Sequence, residues 1–289
     1  MGLRGTIATL DWILREQFGL GLRKAVRGAC GIPRFCRDLR AFRSQSAIPL
    51  YLKPCLQDWG DSAGSTQSEY FWQDLRVARL VFEASPRRHV DIGSRLDGFV
   101  AHVASFRSID VLDIRPLKHH VQGVKFIQID VADRAAMRQL GALQELAGDY
   151  IDSLSCLHAI EHFGLGRYGD PVAADGYARG LESMFDVLAP GGRLYLATPI
   201  GQSRVEFNAN RVFSPRKLVS VCEHIGFQLD WCEVFDPVTG NVSKPKDHAE
   251  LEDIGREWYR LGLFIFTKPV NREIDPDDQR RSLPGMGLA

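Results

Sequence analysis

The sequence predicts an α/β fold in which a mostly parallel β-sheet is covered by helices on both faces. From residue 89 onward, short apolar runs alternate with amphipathic helical windows, the pattern of successive βαβ units. Two of these runs end on acids 22 residues apart, Asp91 and Asp113, and a glycine turn follows the first. This spacing allows the second carboxylate to reach a ribose hydroxyl at the sheet edge, so it predicts a nucleoside-binding crevice.

Seven strands are predicted from these apolar runs. They fall at residues 89–93, 108–114, 124–130, 150–158, 193–200, 227–235 and 262–268. We expect the last two strands to pair antiparallel around the helix between them. A turn at Pro190–Gly191–Gly192 precedes the fifth strand, which ends at Ala197–Thr198–Pro199.

Helical windows separate the strands, at residues 97–105, 132–147, 174–188, 214–225 and 248–260. The window at 214–225 has the clearest boundaries, because Ser214 is a favourable N-cap, Pro215 suits the first helical position and Gly226 follows the end. Another helix is predicted from Glu69 to about Ala84, before the first strand.

The charge of the chain is distributed unevenly. Formal net charge is zero, but residues 1–46 carry nine Arg or Lys against three acids. This excess indicates contact with something anionic, such as phospholipid, a pyrophosphate-linked substrate or an acidic protein face. Residues 9–45 have helical apolar spacing interrupted between Gly28 and Pro33. They form either a helical cap on the core or basic helices in peripheral contact with a membrane surface.

The composition predicts a cytoplasmic globular protein, located in addition at the cytoplasmic membrane face if the basic helices bind lipid. Of 289 residues, 45% are hydrophobic, and the six cysteines show neither C-x-x-C nor metal-like spacing with histidine. We therefore expect no metal site. No nucleic acid is expected either, because no binding module is present.

The predicted organisation is a basic helical extension and loop at 1–66, a core at 67–270 and a flexible tail at 271–289. The oligomeric state stays open.

Over roughly residues 67–270 the chain resembles the class I S-adenosylmethionine-dependent methyltransferases. Asp91–Gly93 is similar to their first motif, Asp113 to their ribose-binding acid, and Asp130 to the acid near the adenine amino group. Residues 152–162 are similar to their fourth strand and the loop after it, and Leu188–Gly192 to their Leu-x-Pro-Gly-Gly turn. The resemblance implies a Rossmann-like, doubly wound, seven-stranded sheet with an antiparallel last strand. It also implies S-adenosylmethionine as cofactor, held by Asp91, Gly93, Ser94, Arg95, Gly98, Asp113, Asp130, Val131, Cys156 and Leu157.

A narrower resemblance concerns residues 155–171 and 205–208. These segments resemble the uncharacterised domain-of-unknown-function 268 branch, which is associated with glycan biosynthesis. The resemblance implies an acceptor that is a sugar or a nucleotide-linked or lipid-linked glycan intermediate.

The first motif departs from the usual pattern of alternate glycines. Arg95 and Asp97 occupy two of those positions, and one glycine is displaced to Gly98. Arg95 either crowds the methionine end of the cofactor or forms a salt bridge with its carboxylate. The alternative is a core that has lost its cofactor and serves as a non-catalytic binding or scaffold protein. NAD is less favoured, because a full G-x-G-x-x-G is absent.

Transfer of a methyl group to a hydroxyl requires alignment of the nucleophile and removal of its proton. His162 is the predicted base because an imidazole titrates near neutral pH, and Glu161 either orients the ring or is itself the base. An alternative role for His162 is a hydrogen bond that tethers the loop to backbone. His158 is expected to be structural.

Two segments are predicted to bind the acceptor. In the glycine-rich loop 163–171, Arg167 would clamp a phosphate or carboxylate, Tyr168 would stack on a sugar ring, and Asp170 would contact substrate or only initiate a turn. Asn208 and Arg211 belong to a second predicted lid, residues 204–211, in which Asn208 would contact hydroxyl groups and Arg211 would clamp an anion. Tyr70 and Trp72 either close over the cofactor or pack in the core.

Overall fold

The computed structural model describes residues 22–46, 48–61, 66, 68–142 and 151–270. The chain divides into two compact units, Met1–Ser65 and Thr66–Ala289. The tail predicted at 271–289 and the helical stretch predicted before residue 22 lie outside the described residues.

In the first unit, helix α1 (Leu22–Arg43) is continuous and contains Pro33. The interruption predicted between Gly28 and Pro33 is therefore wrong for these residues. A proline inside a helix removes one backbone hydrogen bond, and tertiary packing can offset that loss. Gly31 supports such packing, because a Cβ there would lie 2.1 Å from the Leu56 carbonyl oxygen. Within the described ranges, no helix has the length and apolar character needed to cross a bilayer.

The second unit is built on ten strands. They are β1 (His89–Ile92), β2 (Ile109–Asp113), β3 (Val124–Gln128), β4 (Ile151–Leu157), β5 (Leu188–Ile200), β6 (Arg204–Glu206), β7 (Asn210–Val212), β8 (Gln228–Phe235), β9 (Val242–Ser243) and β10 (Arg260–Thr267). Eight of them form one sheet in the order β3-β2-β1-β4-β5-β10-β8-β9, while β6 and β7 form a separate hairpin. The seven predicted strands are confirmed, and β9 adds a two-residue eighth strand at one edge.

Six helices accompany these strands in the described part of this unit. They are α2 (Glu69–Ala84), α3 (Ala101–Ala104), α4 (Arg134–Ala142), α5 (Gly176–Val187), α6 (Pro215–Ile225) and α7 (His248–Ile254). A π-helical turn at Leu96–Val100, kinked at Gly98, precedes α3. Helix α6 begins after Ser214, whose side chain accepts from the Lys217 amide, as predicted. Helix α7 ends at Ile254, earlier than predicted, and a turn leads from it to β10 at Arg260.

Both faces of the sheet are covered, as predicted for a doubly wound fold. Leu194 and Leu196 of β5 pack into the apolar cluster that also contains residues of α4 to α7. Tyr195 and Ala197 pack into the opposite cluster, together with residues of α2 and α3. Alternate residues of one strand therefore point to two helix layers, which explains the continuous apolar run in the sequence.

The strand order reverses between β1 and β4, which defines the position of the site. Strands β1, β2, β3, β4 and β5 are mutually parallel, so their carboxyl ends all lie at the same edge of the sheet. Ligands in open α/β sheets bind where the order reverses, outside the carboxyl ends of the strands. Strand β10 runs antiparallel to both β5 and β8, which confirms the antiparallel last strand and the pairing of the last two predicted strands.

The predicted turn Pro190–Gly192 is instead part of β5. Gly191 has a φ of 77° and the register with β4 shifts between Ile151 and Ser153, so the turn residues form an irregularity within a longer strand.

Candidate active site

A cavity of about 460 Å³ opens at the carboxyl edge of the sheet, where the strand order reverses. Its walls come from the segments after β1, β2, β3 and β4, from α2 and from the loop after Phe163. The predicted site residues that line it are Gly93, Ser94, Arg95, Gly98, Asp113, Asp130, Val131, Leu157, His162, Arg167, Tyr168 and Asp170. Sequence reasoning therefore located the cavity, although the roles of single residues differ.

The turn after β1 requires glycine at position 93. Gly93 has a φ of 73°, and a Cβ there would lie 2.8 Å from the Cβ of Ala159. Its amide donates to the Leu112 carbonyl oxygen at 2.9 Å, which holds the turn against β2. Any side chain would therefore separate the turn from the segment after β4.

Arg95 does not crowd the cavity. Its Nε donates to Asp97 Oδ1 at 2.9 Å, and both side chains are about 70% exposed. The guanidinium is thus held at the rim by Asp97, which occupies the third of the expected glycine positions. Gly98 lies against α2, because a Cβ there would be 2.6 Å from Asp74 Oδ2.

Asp91 was predicted to contact the cofactor, and the structure corrects this. Its carboxylate is fully buried beneath the cavity and accepts from the Ser94 amide at 3.0 Å, the Ser94 hydroxyl at 2.8 Å and the Ser155 hydroxyl at 2.6 Å. Asp91 therefore braces the turn after β1 against β4. Burial raises the pKa of Asp91 to about 7, although the serine hydrogen bonds oppose this shift.

His89 belongs to the same buried network, and its pKa is shifted in the direction opposite to that of Asp91. Its ring nitrogens contact the Ser153 hydroxyl at 2.7 Å and the Ser155 hydroxyl at 3.2 Å, and burial lowers its pKa to about 3.

The raised pKa of Asp91 favours folding at low pH, and this contribution is lost as pH rises toward 7. The lowered pKa of His89 favours folding above pH 6.5 and is lost as pH falls toward 3. The two contributions oppose each other between about pH 4 and 6.5.

Replacing Asp91 by asparagine should expose the contribution of His89. We expect the free energy of unfolding of Asp91→Asn to fall, relative to the wild type, by about 1.4 kcal/mol per pH unit below pH 6.5. Urea unfolding at pH 4.5, 5.5 and 6.5 measures the difference. Parallel profiles for the two proteins would show that Asp91 does not titrate in this range.

The carboxyl ends of β2 and β3 supply an acid beside apolar side chains. Asp113 lies at the end of β2, while Ile114, Ile129 and Val131 line the cavity next to it. Asp130 also lines the cavity and accepts from the Ala132 amide at 2.9 Å, which shapes the turn before α4. This combination of a carboxylate and an apolar slot suits a ribose and a flat base.

Arg115 is a site residue that the sequence analysis missed. Its Nε donates to both carboxylate oxygens of Asp113, at 3.0 and 3.1 Å, and its Nη2 donates to the Gly93 carbonyl oxygen at 3.0 Å. Its position two residues after Asp113, at the same edge of the sheet, is the sequence feature that could have identified it.

The wall after β4 contains two histidines around one buried glutamate. Glu161 Oε1 lies 2.8 Å from His158 Nδ1 and 3.8 Å from His162 Nε2, and its Oε2 accepts from Thr198 at 3.2 Å. Glu161 is 1% exposed and does not line the cavity, so the structure favours an orienting role over direct contact with substrate.

His162 Nδ1 is 2.7 Å from the Ala209 carbonyl oxygen and therefore donates to it. This bond assigns the proton to Nδ1 and leaves the lone pair on Nε2. The tether to backbone and the capacity to act as a base are thus compatible. Burial lowers the pKa of His162 below its usual value, so the neutral ring prevails at pH 7.

His158 lines the cavity and has a φ of 50°, which is uncommon for a residue with a side chain. Its buried Nε2 has no hydrogen-bond partner and lies 3.7 Å from Glu69 Oε1. Burial alone would lower the pKa of His158, but the carboxylates of Glu161 and Glu69 outweigh burial and raise it. His158 therefore adds to the cavity wall a ring whose buried Nε2 has no hydrogen-bond partner, which goes beyond the structural role expected for it.

The loop after Phe163 is braced by Asp170. One of its oxygens accepts from the amides of Gly164 and Gly166 at 2.8 and 3.1 Å, and the other from the Tyr168 amide at 3.2 Å. Asp170 thus shapes the loop, in line with the turn alternative, although it also borders the cavity. The loop presents Tyr168 and Arg167 to the cavity.

Gly164 should be the least replaceable glycine of this loop. Both Gly164 and Gly169 have positive φ, but a Cβ at 164 would lie 2.0 Å from the Ala173 carbonyl oxygen, whereas nothing lies within 4 Å at 169. We expect Gly164→Ala to lower the free energy of unfolding by at least about 2 kcal/mol more than Gly169→Ala. Equal losses in thermal or urea unfolding would contradict this packing role.

Besides Asp91, three further predicted binding residues lie outside the cavity lining. Cys156 is fully buried in the core and does not line the cavity, since it points into the opposite side of β4 from its neighbour Leu157. Asn208 is exposed and lies outside the cavity lining. Arg211 is 3% exposed and donates to the Phe163 and Ala174 carbonyl oxygens, so it joins the hairpin to the loop and is not an anion clamp.

Helix α2 contributes polar groups that no sequence motif marked. Gln73 and Asp74 line the cavity, and the buried Gln73 Oε1 has no hydrogen-bond partner. Burial raises the pKa of Asp74. Tyr70 also lines the cavity, with its ring 4.5 Å from the His158 ring, while Trp72 stacks on Phe235 in the core.

Comparison with known proteins identifies one matching family. Residues 109–247, from β2 to the segment before α7, match the family described as "Caenorhabditis protein of unknown function, DUF268". This match confirms the resemblance to that branch over this span. No curated protein matches the sequence of the chain.

Solved structures similar to this chain include the [4+2]-cyclase SpnF (12% identity, TM-score 0.46), with 72% of this chain and 86% of that chain covered. They also include the N-methyltransferase NodS from Bradyrhizobium japonicum WM9 in complex with S-adenosyl-L-homocysteine (11% identity, TM-score 0.46), with 70% of this chain and 89% of that chain covered. A third is 1,6-didemethyltoxoflavin-N1-methyltransferase from Burkholderia thailandensis, with bound 1,6-didemethyltoxoflavin and S-adenosylhomocysteine (15% identity, TM-score 0.42). Here 68% of this chain and 78% of that chain are covered. Function must be inferred from the cavity's own residues, since one fold hosts many activities.

Proposed function

We propose that this protein is a methyltransferase that uses S-adenosylmethionine to methylate a hydroxyl oxygen of a sugar or of a sugar-linked intermediate of glycan assembly. The observation that carries the proposal is the presence, in one cavity, of two complementary groups. Asp113 is placed for a ribose, and His162 has a lone pair on Nε2.

The residues of the cavity fit an S-adenosyl group. The ribose hydroxyls would donate to Asp113, and the adenine would lie among Ile114, Ile129 and Val131. The unpartnered, buried Gln73 Oε1 is an acceptor beside the carboxyl of Asp74, which suits the ammonium group of the methionine end. The volume of about 460 Å³ is within the usual range for small-molecule sites, about 300–1,000 Å³.

Bound in this cavity, S-adenosylmethionine would supply a methyl group that its sulfonium has already made electrophilic. The protein then has to orient the acceptor and remove one proton. His162 Nε2 would take the proton of the acceptor hydroxyl, since Nδ1 is committed to the Ala209 carbonyl oxygen. Glu161, 3.8 Å from Nε2, would stabilise the imidazolium that forms and is a positioning residue.

The acceptor class is supported by the outer wall of the cavity. Tyr168 offers an aromatic face to a sugar ring, and the Arg167 guanidinium lies 5.1 Å from the centre of that ring. An acceptor with a neutral, hydroxyl-rich part and an attached phosphate would satisfy both groups. The resemblance to a branch associated with glycan biosynthesis supports the same class.

Incubation of the full chain with methyl-labelled S-adenosylmethionine tests the proposal directly. One arm contains nucleotide sugars and the other a lipid-linked glycan extract. We expect label in the carbohydrate fraction of one arm. Binding of S-adenosylhomocysteine without transfer in either arm would contradict the enzymatic proposal and favour a non-catalytic scaffold.

For the first unit we propose peripheral contact with an anionic membrane. Arg40 and Arg43 lie in the last turn of α1, and Val26, Ile32 and Phe42 are about half exposed on the same helix. The full chain should sediment with phosphatidylglycerol-containing vesicles but not with pure phosphatidylcholine.

The variant Arg43→Glu should reduce that sedimentation, whereas the control Lys217→Glu, on exposed α6 surface, should not. Equal sedimentation with both kinds of vesicle, or with neither, would contradict this contact.

A further inference from the structure

The carboxylate proposed for the ribose is already fully engaged by Arg115. Asp113 accepts from the Arg115 amide at 2.8 Å, twice from its Nε at 3.0 and 3.1 Å, and from its Nη2. A carboxylate offers about four lone-pair sites, so these contacts occupy the whole group. Asp113 is 5% exposed, which leaves little room for further donors. A ribose can therefore reach Asp113 only if the Arg115 side chain withdraws.

Tyr168 provides a second partner for the Arg115 guanidinium. The Arg115 guanidinium carbon lies 4.9 Å from the centre of the Tyr168 ring, and that of Arg167 lies 5.1 Å from the same ring. Both distances are in the range of cation–π contacts. All three side chains line the cavity. Release from Asp113 would therefore leave Arg115 beside a ring that already holds another guanidinium.

The two arginines differ in how their charge is compensated. Arg115 pairs with Asp113, whereas Arg167 donates to the Ala209 carbonyl oxygen at 2.8 Å and, within the described residues, forms no ion pair with a carboxylate. Asp170, the acid of the same loop, uses both oxygens on backbone amides. Withdrawal of Arg115 from Asp113 would thus place two guanidinium groups around Tyr168 without an opposing side-chain charge from the loop.

We propose that cofactor binding releases Arg115 from Asp113 and so completes, with Arg167 and Tyr168, a binding site for the phosphate or diphosphate group of the acceptor. This inference rests on the proposed cofactor site and specifies its acceptor as phosphate-bearing. Two planar guanidinium groups can each bind phosphate oxygens with two parallel hydrogen bonds. Cofactor and acceptor then bind in order, with the cofactor first, and each strengthens the binding of the other.

Calorimetric titration with inorganic pyrophosphate tests the coupling. We expect pyrophosphate to bind at least about five-fold more tightly to the full chain saturated with S-adenosylhomocysteine than to the ligand-free protein. Parallel titrations with uridine diphosphate and with a short-chain prenyl diphosphate distinguish a nucleotide-linked from a lipid-linked source. Equal affinity for pyrophosphate with and without S-adenosylhomocysteine would overturn the proposal.

Variants of the two arginines separate the steps. Arg115→Met should bind S-adenosylhomocysteine several-fold more tightly than the wild type, because no side chain competes for Asp113, and should lose the coupling to pyrophosphate. Arg167→Met should weaken pyrophosphate binding while leaving the affinity for S-adenosylhomocysteine unchanged. The matched control Arg88→Met removes a comparable half-buried pair with Asp110, on the same strand β2, and should alter neither affinity.

Failure of the proposed Arg115 release can be distinguished from failure of the proposed function. Weaker S-adenosylhomocysteine binding by Arg115→Met would show that Arg115 holds the cofactor, which overturns the release but preserves the proposed function. Absence of S-adenosylhomocysteine binding by the wild type would overturn both.

Discussion

Replacement of Asp113 by asparagine will weaken the binding of S-adenosylhomocysteine by about 100-fold. The carboxylate would accept two ribose hydroxyls, and charged hydrogen bonds contribute about 1.5–3 kcal/mol each. A loss of about 3 kcal/mol corresponds to this change in Kd. Asparagine keeps the shape of the side chain, so the comparison isolates the charge. Calorimetric titration of both proteins measures the effect.

Asp110→Asn is the matched control. Asp110 lies three residues earlier on β2 and also forms an ion pair with an arginine, but outside the cavity. Both variants should lose a similar amount of stability, and only Asp113→Asn should lose affinity. Equal affinity of wild type and Asp113→Asn would show that the acid is not the ribose ligand. Substitutions of the two paired residues should therefore have opposite effects on the affinity for S-adenosylhomocysteine. Loss of the Asp113 carboxylate should weaken binding, and loss of the Arg115 guanidinium should strengthen it.

Replacement of His162 by glutamine should slow methyl transfer by about 100-fold to 10,000-fold, the usual contribution of a general base. Glutamine retains an amide donor for the Ala209 carbonyl oxygen but cannot take up a proton at neutral pH. The affinity for S-adenosylhomocysteine should stay within about two-fold of the wild type. Transfer of labelled methyl groups into the carbohydrate fraction measures the rate.

The pH dependence of the wild type provides a second readout for His162. Burial lowers its pKa below 6.5, so the base is neutral at pH 7 and the rate should fall only as pH drops below about 6.5. This acidic limb should be absent in His162→Gln. His224→Gln, on the exposed last turn of α6, controls for the loss of a histidine and should keep the wild-type rate and limb. An undiminished rate in His162→Gln would remove the base from the mechanism.

The main sheet could be predicted because each of its strands is marked locally. Leu194, Tyr195, Leu196 and Ala197 are all buried, and such a run indicates a strand covered on both faces. The hairpin of β6 and β7 was missed because its three-residue strands are polar and partly exposed. The continuity of α1 through Pro33 was missed; Gly31, two residues earlier, lies against the Leu56 backbone, and periodicity does not report such a contact between distant residues.

The site could be predicted only to the level of which strand ends meet. Asp113 is the last residue of β2 and His162 lies in the short turn after β4, so topology brings them to one edge. The role of Arg211 could not be predicted, because it depends on the Phe163 and Ala174 carbonyl oxygens converging on one guanidinium. Asp91 was misassigned for a related reason: the Ser155 hydroxyl that occupies its carboxylate comes from another strand. Side-chain partners across the fold decide whether a polar residue faces the ligand or the protein.

Titration of the wild-type chain with S-adenosylhomocysteine is the most direct measurement, since every proposed step requires an adenosyl ligand in the cavity beside Asp113. We expect saturable binding of one ligand per chain, with a Kd in the micromolar range, about 1–100 μM. No binding at about 1 mM ligand, or binding that Asp113→Asn leaves unchanged, would contradict the cofactor site and the methyl transfer inferred from it.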